Sequence, residues 1–197
     1  MSTEIALLLL FVVALAFSMI LTPLAKWLGI RLDAVDIPKD RKVHTIPTPR
    51  IGGLAVCLAF SITFVLGYLY LTPVSDVFVI SQQKIFAYAG GLVLLCCGLW
   101  DDFRRLNPWI KLFIQIAGVT VAFMGGLSIS GFYVDGFSIR FGILASYVIT
   151  VFWFLLFINA VNLIDGLDGL AGGIVFFTSA LMTVLSYING DYLTAFY

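Results

Sequence analysis

Tyr147-Val-Ile-Thr-Val-Phe-Trp-Phe-Leu-Leu-Phe-Ile158 runs without a charged group directly into Asn159-Ala-Val-Asn162-Leu-Ile-Asp165-Gly-Leu-Asp168-Gly169. The first half asks for hydrocarbon around it. The second places two carboxamides and two carboxylates at the edge of that hydrocarbon, where an Asp at bilayer depth costs about 2.5 to 3.5 kcal/mol on insertion scales. Four such groups in eleven residues read as a binding site at a membrane surface. Their spacing of three, Asn159 to Asn162 and Asp165 to Asp168, puts neighbours on a shared helical face. Gly166 and Gly169 interrupt the row and allow close backbone approach. The same residues also suit a capped helix end followed by a turn.

The rest of the chain is built around similar apolar runs. Of 197 residues, 61% are hydrophobic and 11% charged, against about 45–50% and about 25% in soluble domains. A bilayer crossing takes about 20 apolar residues, and six segments qualify: 5–22, 51–71, 85–100, 109–124, 141–158 and 170–188. The expected architecture is an all-α polytopic transmembrane helical bundle forming a single integral membrane domain over residues 1–197. Residues 125–142, with Gly131 and Asp135-Gly136, read as a short external hairpin. The first segment carries Glu4 rather than a basic leader and reads as a retained helix. Cys57, Cys96 and Cys97 all fall inside predicted spans without metal-type spacing, so neither a disulfide framework nor a metal cluster is implied.

Net charge is zero, so total charge is uninformative about partners, but the basic residues are unevenly distributed. Nine (Lys26, Arg31, Lys39, Arg41, Lys42, Arg50, Arg104, Arg105 and Lys111) fall on one side of the threaded helices and two, Lys84 and Arg140, on the other. The positive-inside rule places residues 24–50, 101–108 and 159–169 in the cytoplasm, and the N-terminus, residues 72–84 and residues 189–197 outside. Every unusual polar motif then lies on the cytoplasmic face.

Asp101-Asp102 closes the third span. Adjacent residues differ by about 100° around a helix, so the two carboxylates point different ways, one toward a proton or metal and one toward a nearby cation. A membrane-edge acidic pair neutralised by Arg104 and Arg105 accounts for the same residues. Lys111 and Gln115 share a face one turn apart on the fourth span. Lys111 fits either an anchor reaching the interface or a cation facing the acidic pair. The long first loop offers Arg41, Lys42, His44 and Arg50 before Gly52-Gly53, a pattern suited to anions and equally to topology or anionic lipid. Its prolines make it irregular rather than helical. Hard cations such as Mg²⁺ take oxygen ligands, commonly carboxylates with phosphate and water, which suits the 159–169 row.

Taken in order, Asp36-x-Pro38 through Arg41-Lys42-x-His44, Pro49-Arg50-x-Gly52-Gly53, Gly98-x-x-Asp101-Asp102, Lys111-x-x-x-Gln115 and Asn159-Ala-x-Asn162-x-x-Asp165-Gly-x-Asp168-Gly169 resemble the polyprenyl-phosphate N-acetylhexosamine-1-phosphate transferases of glycosyltransferase family 4. The His44 and Pro49-Arg50-x-Gly-Gly form is similar to the branch using UDP-N-acetylglucosamine rather than the muramoyl-pentapeptide branch. The resemblance implies transfer of a sugar-1-phosphate, GlcNAc-1-phosphate in that branch, from a UDP-sugar to undecaprenyl phosphate. UMP would be released, with Mg²⁺ or Mn²⁺ as cofactor, at the cytoplasmic face of a bacterial inner membrane, starting a cell-envelope polysaccharide. It matches Asp101 and Asp102 to the family's acidic pair, Asp101 acting on the lipid phosphate as base or orienting group. It matches Asn162 to a metal ligand, and Asp165 and Asp168 to carboxylates near nucleotide and metal. Arg41, Lys42, His44, Arg50, Lys111 and Asn159 become substrate contacts. Family members often pair in the membrane, and no nucleic-acid partner is implied.

The family has about ten membrane helices, each of the roughly 20 residues a crossing takes, and its second half supplies a further metal-binding Asp and a His-bearing loop. The chain therefore resembles the N-terminal part of a longer enzyme, expected to be inactive alone. A competing expectation is an ion or proton transporter relaying protons through Asp101, Asp102, Asp165 and Asp168. Against it, the acids gather at one edge rather than the midplane, and no inverted repeat is visible.

Overall fold

The computed structural model describes residues 2–36, 48–74, 78–134, 136–165 and 169–190. Among them are six α-helices and two short hairpin-like strand pairs: α1 (Thr3–Arg31), β1 (Val35–Asp36), β2 (Thr48–Pro49), α2 (Gly52–Leu71), α3 (Gln82–Arg104), α4 (Pro108–Met124), β3 (Gly131–Val134), β4 (Phe137–Arg140), α5 (Ile143–Ile164) and α6 (Leu170–Ile188). Five helices are long and apolar enough to cross a membrane, and α4 is a shorter apolar helix. At 1.5 Å per residue α4 is about 25 Å long, near the lower limit for a crossing. The protein is an all-α, multi-pass membrane protein, as the composition predicts.

The chain forms two compact units, Met1–Val79 with Ile164–Tyr197, and Ile80–Leu163. In the first, α1 packs along α2. The buried residues of α2 are Ala55, Ala59, Thr63, Gly67 and Leu71, one every fourth position. That row forms a mostly small-residue ridge inclined to the helix axis, which lets helix backbones approach where lipid tails remove any hydrophobic drive to associate. Ala6 and Leu10 of α1 meet Leu71 and Phe78 in a buried cluster at one end. At the other end, a Cβ on Gly29 would sit 2.9 Å from the Pro49 Cβ. Only glycine lets β2 lie this closely on α1.

In the second unit α3 and α4 are antiparallel neighbours joined by a three-residue connection. A Cβ on Gly90 would meet the Gly118 carbonyl oxygen at 2.5 Å, and one on Gly118 would meet Leu94 at 3.1 Å. The contact row on α3 is Gly90, Leu94, Cys97 and Asp101, and on α4 Lys111, Gln115, Gly118 and Ala122. Both run in steps of four, three and four, the seam of a left-handed helix pair. β3 and β4 pair antiparallel from Gly131↔Arg140 to Val134↔Phe137, the hairpin expected within residues 125–142. Its stem is tied to α5: the Ile129 N–H donates to Thr150 Oγ1 at 2.9 Å, and Ser146 Oγ donates to the Ile129 carbonyl at 2.8 Å.

Three boundaries differ from the sequence expectation. The first helix does not stop at Thr22 but continues through Pro23 to Arg31, adding more than two turns. The residues assigned to the cytoplasmic loop from 24 onward are therefore helical as far as Arg31, where the guanidinium lies 5.0 Å from the Trp27 ring centroid. α3 carries Asp101, Asp102 and Arg104, and α5 carries Asn159 and Asn162 before ending at Ile164. Polarity marks where hydrocarbon ends, not where the helical hydrogen bonds end. The base of the long loop, expected to be irregular, is closed by an antiparallel pair, Val35↔Pro49 and Asp36↔Thr48.

Candidate functional site

The second unit carries Asp101, Asp102, Lys111, Asn159 and Asn162 of the predicted polar residues, toward the ends of α3, α4 and α5. Asp101 sits in the last turn of α3. Its Oδ2 accepts a hydrogen bond from Lys111 Nζ at 2.7 Å, and its Oδ1 accepts from the Leu106 backbone N–H at 2.8 Å. The chain turns between them at Arg105, φ 45°, whose N–H donates to the Asp101 carbonyl. One carboxylate thus closes the α3–α4 connection and neutralises the first charge of α4. Of the two roles open to Lys111, the structure selects the cation facing the acidic pair. Exposure of the Asp101 side chain is 29% and that of Lys111 20%, so the pair is shielded but not sealed from solvent. Asn107 starts α4, its Oδ1 accepting from the Trp109 N–H at 2.9 Å, and Pro108 occupies the first helical turn, a position where a missing N–H costs nothing.

One turn further along α4, Gln115 is buried, 3% exposed. Its amide pairs with that of Asn159 on α5: Asn159 Nδ2 donates to Gln115 Oε1 at 3.2 Å and Gln115 Nε2 donates to Asn159 Oδ1 at 3.5 Å. Asn159 Nδ2 also donates to the Leu155 carbonyl at 2.8 Å. This reciprocal amide pair, linking residues 44 apart in sequence, was not foreseen. The available signal was Gln115 itself, a carboxamide one turn from Lys111 on an apolar helix.

Asp102 is partly exposed on α3, Asn162 is exposed on α5, and Asp165 is exposed just past the end of α5. Arg50 follows β2, half-buried, its N–H donating to the Ala34 carbonyl at 3.0 Å. Asp168, Arg41, Lys42 and His44 lie outside the described residues. Among the described residues no three His, Cys, Asp or Glu side chains converge. A Mg²⁺ ion does not need them to: it keeps several waters and binds through one or two carboxylates plus substrate phosphate. Asp165 fits that requirement in kind, being an exposed carboxylate, and Asn162 is an exposed amide with an oxygen donor.

These features define a multi-pass helical membrane protein with a polar site at the ends of three helices. The model of glycosyl transferase family 4 matches residues 84–197, more than half of the chain and all of this site. Similar curated proteins include a Bacillus subtilis protein named "Probable undecaprenyl-phosphate N-acetylglucosaminyl 1-phosphate transferase", 32% identical over 185 residues, covering 93% of this chain and 49% of that one. A Mycobacterium leprae decaprenyl-phosphate N-acetylglucosaminephosphotransferase is 33% identical, covering 84% of this chain and 42% of its own. A Yersinia pestis undecaprenyl-phosphate alpha-N-acetylglucosaminyl 1-phosphate transferase is 31% identical, with 97% and 48% covered. No solved structure matches. The chain belongs to glycosyl transferase family 4, and it spans about half the length of the curated relatives it matches.

Proposed function

We propose that this chain belongs to an enzyme that transfers GlcNAc-1-phosphate from UDP-GlcNAc to undecaprenyl phosphate at the cytoplasmic face of a bacterial inner membrane. The observation that carries the reading is the Asp101–Lys111 pair, held at 2.7 Å across the end of the α3–α4 seam in a chain with relatives named undecaprenyl-phosphate N-acetylglucosaminyl 1-phosphate transferases. The reaction forms a bond from the lipid phosphate oxygen to the β-phosphorus of the UDP-sugar. The bridging oxygen leaves with UMP. Both reactants are anions, so the site must bring negative charge together and stabilise what develops on transfer.

In this reading Asp101 orients the lipid phosphate or takes its proton, while Lys111 both fixes that carboxylate and offers positive charge to a phosphate. Asp102 faces a different direction around α3 and can hold a second cation. Asn162, with Asp165 and Asp168, would hold Mg²⁺, whose chemistry is charge neutralisation on the diphosphate. Arg41, Lys42, His44 and Arg50 supply further phosphate contacts. The site's position at helix ends suits a lipid phosphate lying at the membrane surface with its tail in hydrocarbon.

The test is UMP release from UDP-GlcNAc by the full-length protein in membranes supplied with undecaprenyl phosphate and Mg²⁺. Release that requires both the lipid and Asp101 is expected. Silence with every UDP-N-acetylhexosamine, together with proton flux that depends on Asp101, would overturn the transferase in favour of a transporter.

A further inference from the structure

Asn159 is the residue of the polar row whose bonding capacity is most completely accounted for. A carboxamide has two N–H donors, and both of Asn159's are engaged, one by Gln115 Oε1 at 3.2 Å and one by the Leu155 carbonyl at 2.8 Å. Its oxygen accepts from Gln115 Nε2 at 3.5 Å. No donor is left for a phosphate or a sugar hydroxyl. Breaking the ring to contact a substrate would strand the Gln115 amide, 3% exposed, at the membrane edge, where an unsatisfied polar group is expensive.

The other end of the same device is on Gln115's own helix. Lys111, four residues earlier on α4, is bonded to Asp101 of α3 at 2.7 Å. A single face of α4 therefore carries two cross-links one turn apart, one to each neighbouring helix. Asn162 follows Asn159 by three residues on α5, about 4.5 Å further along the axis, and is exposed. Rotation or sliding of α5 against α4 would move Asn162 relative to Asp101.

We propose that Gln115 and Asn159 are positioning residues: their amide ring sets the rotation and height of α5 against α4, and so presents Asn162 at a fixed place relative to the Asp101–Lys111 pair, without either amide touching substrate. This rests on the transferase reading of the site. It removes Asn159 from the substrate contacts and gives Gln115 a role.

The experiment uses the full-length protein in membranes, with Gln115→Ala, Asn159→Ala, the double alanine variant and the exchanged pair Gln115→Asn/Asn159→Gln. Each single alanine variant is expected to lower kcat about tenfold with KM for UDP-GlcNAc within about twofold of wild type, the signature of lost alignment rather than lost binding. The double alanine variant should be no worse than either single, because the two act as one unit. The exchanged pair should recover most of the rate. The inference is overturned if Asn159→Ala raises KM about tenfold while Gln115→Ala leaves both constants intact, or if the single effects multiply. A parallel double-mutant cycle on thermal unfolding of the purified protein separates the two readings. Coupled shifts in Tm with wild-type protein that transfers no sugar phosphate would sink the transferase and keep the helix clamp. Additive shifts would sink the clamp.

Discussion

Replacing Lys111 with Met keeps the stem that packs along α4 and deletes the ammonium that sits 2.7 Å from Asp101 Oδ2. Exposed pairs are worth about 0.2–1 kcal/mol, while removing one partner of a fully buried pair costs about 3–5 kcal/mol. With side-chain exposures of 20% and 29%, this pair lies between those limits. Asp101 also keeps its bond from the Leu106 N–H at 2.8 Å, which softens the loss. The expected cost of Lys111→Met is therefore about 1.5–2.5 kcal/mol, placed between the two limits. Asp101→Asn retains an acceptor for Leu106 but removes the charge, and should cost about 1–2 kcal/mol on the same grounds. The double variant leaves no orphaned charge and should cost less than the sum of the singles by about 1 kcal/mol or more. Thermal unfolding of the purified protein in detergent, followed by near-ultraviolet circular dichroism and run as a full cycle, reads this coupling. High salt should reduce it only in part, since a shielded pair is screened less than a surface one. A coupling below about 0.3 kcal/mol, the error within which independent sites add, would refute the claim that the pair closes the α3–α4 seam.

Gly90→Leu should separate α3 from α4, because even a Cβ there would lie 2.5 Å from the Gly118 carbonyl; the expected loss is about 1–3 kcal/mol of stability, together with transfer activity, checked by Tm and by UMP release. Two buried threonines should respond to one substitution with opposite signs. Thr63 Oγ1 is buried with no hydrogen-bond partner among the described residues, so Thr63→Val should stabilise by about 1 kcal/mol, whereas Thr150 Oγ1 accepts from the Ile129 N–H and donates to the Ser146 carbonyl, so Thr150→Val should destabilise by about 1–3 kcal/mol; thermal melts of both variants decide it. Chelation with EDTA should abolish UMP release, and Mg²⁺ or Mn²⁺ but not Ca²⁺ should restore it, since the larger ion prefers more ligands at longer distance.

Much of this architecture is legible in the residues because a bilayer imposes a simple rule: apolar runs of sufficient length must be helices with their backbone groups satisfied internally. All six described helices follow from it, and the hairpin around Gly136 follows from its turn residues. What the rule does not reveal is where a helix stops once it leaves hydrocarbon. Lys26, Arg31, Arg104 and Asn162 look like loop residues by polarity, yet each is helical. No helix-ending signal intervenes before them apart from Pro23, and a proline inside a membrane helix is tolerated when its surroundings re-satisfy the freed groups. The β1–β2 pair escaped notice because two-residue strands carry no periodicity. The amide ring escaped because nothing local connects Gln115 to Asn159.

The shortest helix does the most to organise the site. α4 has only 17 residues, but its inward row begins with the half-buried Lys111, continues through buried Gln115 to Gly118 and ends at Ala122, grading from charge to amide to bare backbone. At Gly118 the approach to α3 is set by sterics alone, with no side chain able to intervene. That close contact fixes the height of α4 against α3, and height decides whether Lys111 meets Asp101 or misses it by part of a turn. The polar pair at the membrane edge thus depends on an apolar glycine contact about two turns away along α4 and about three along α3. Substitutions at Gly90 and at Lys111 should therefore be coupled through the register of the seam, although the residues never touch.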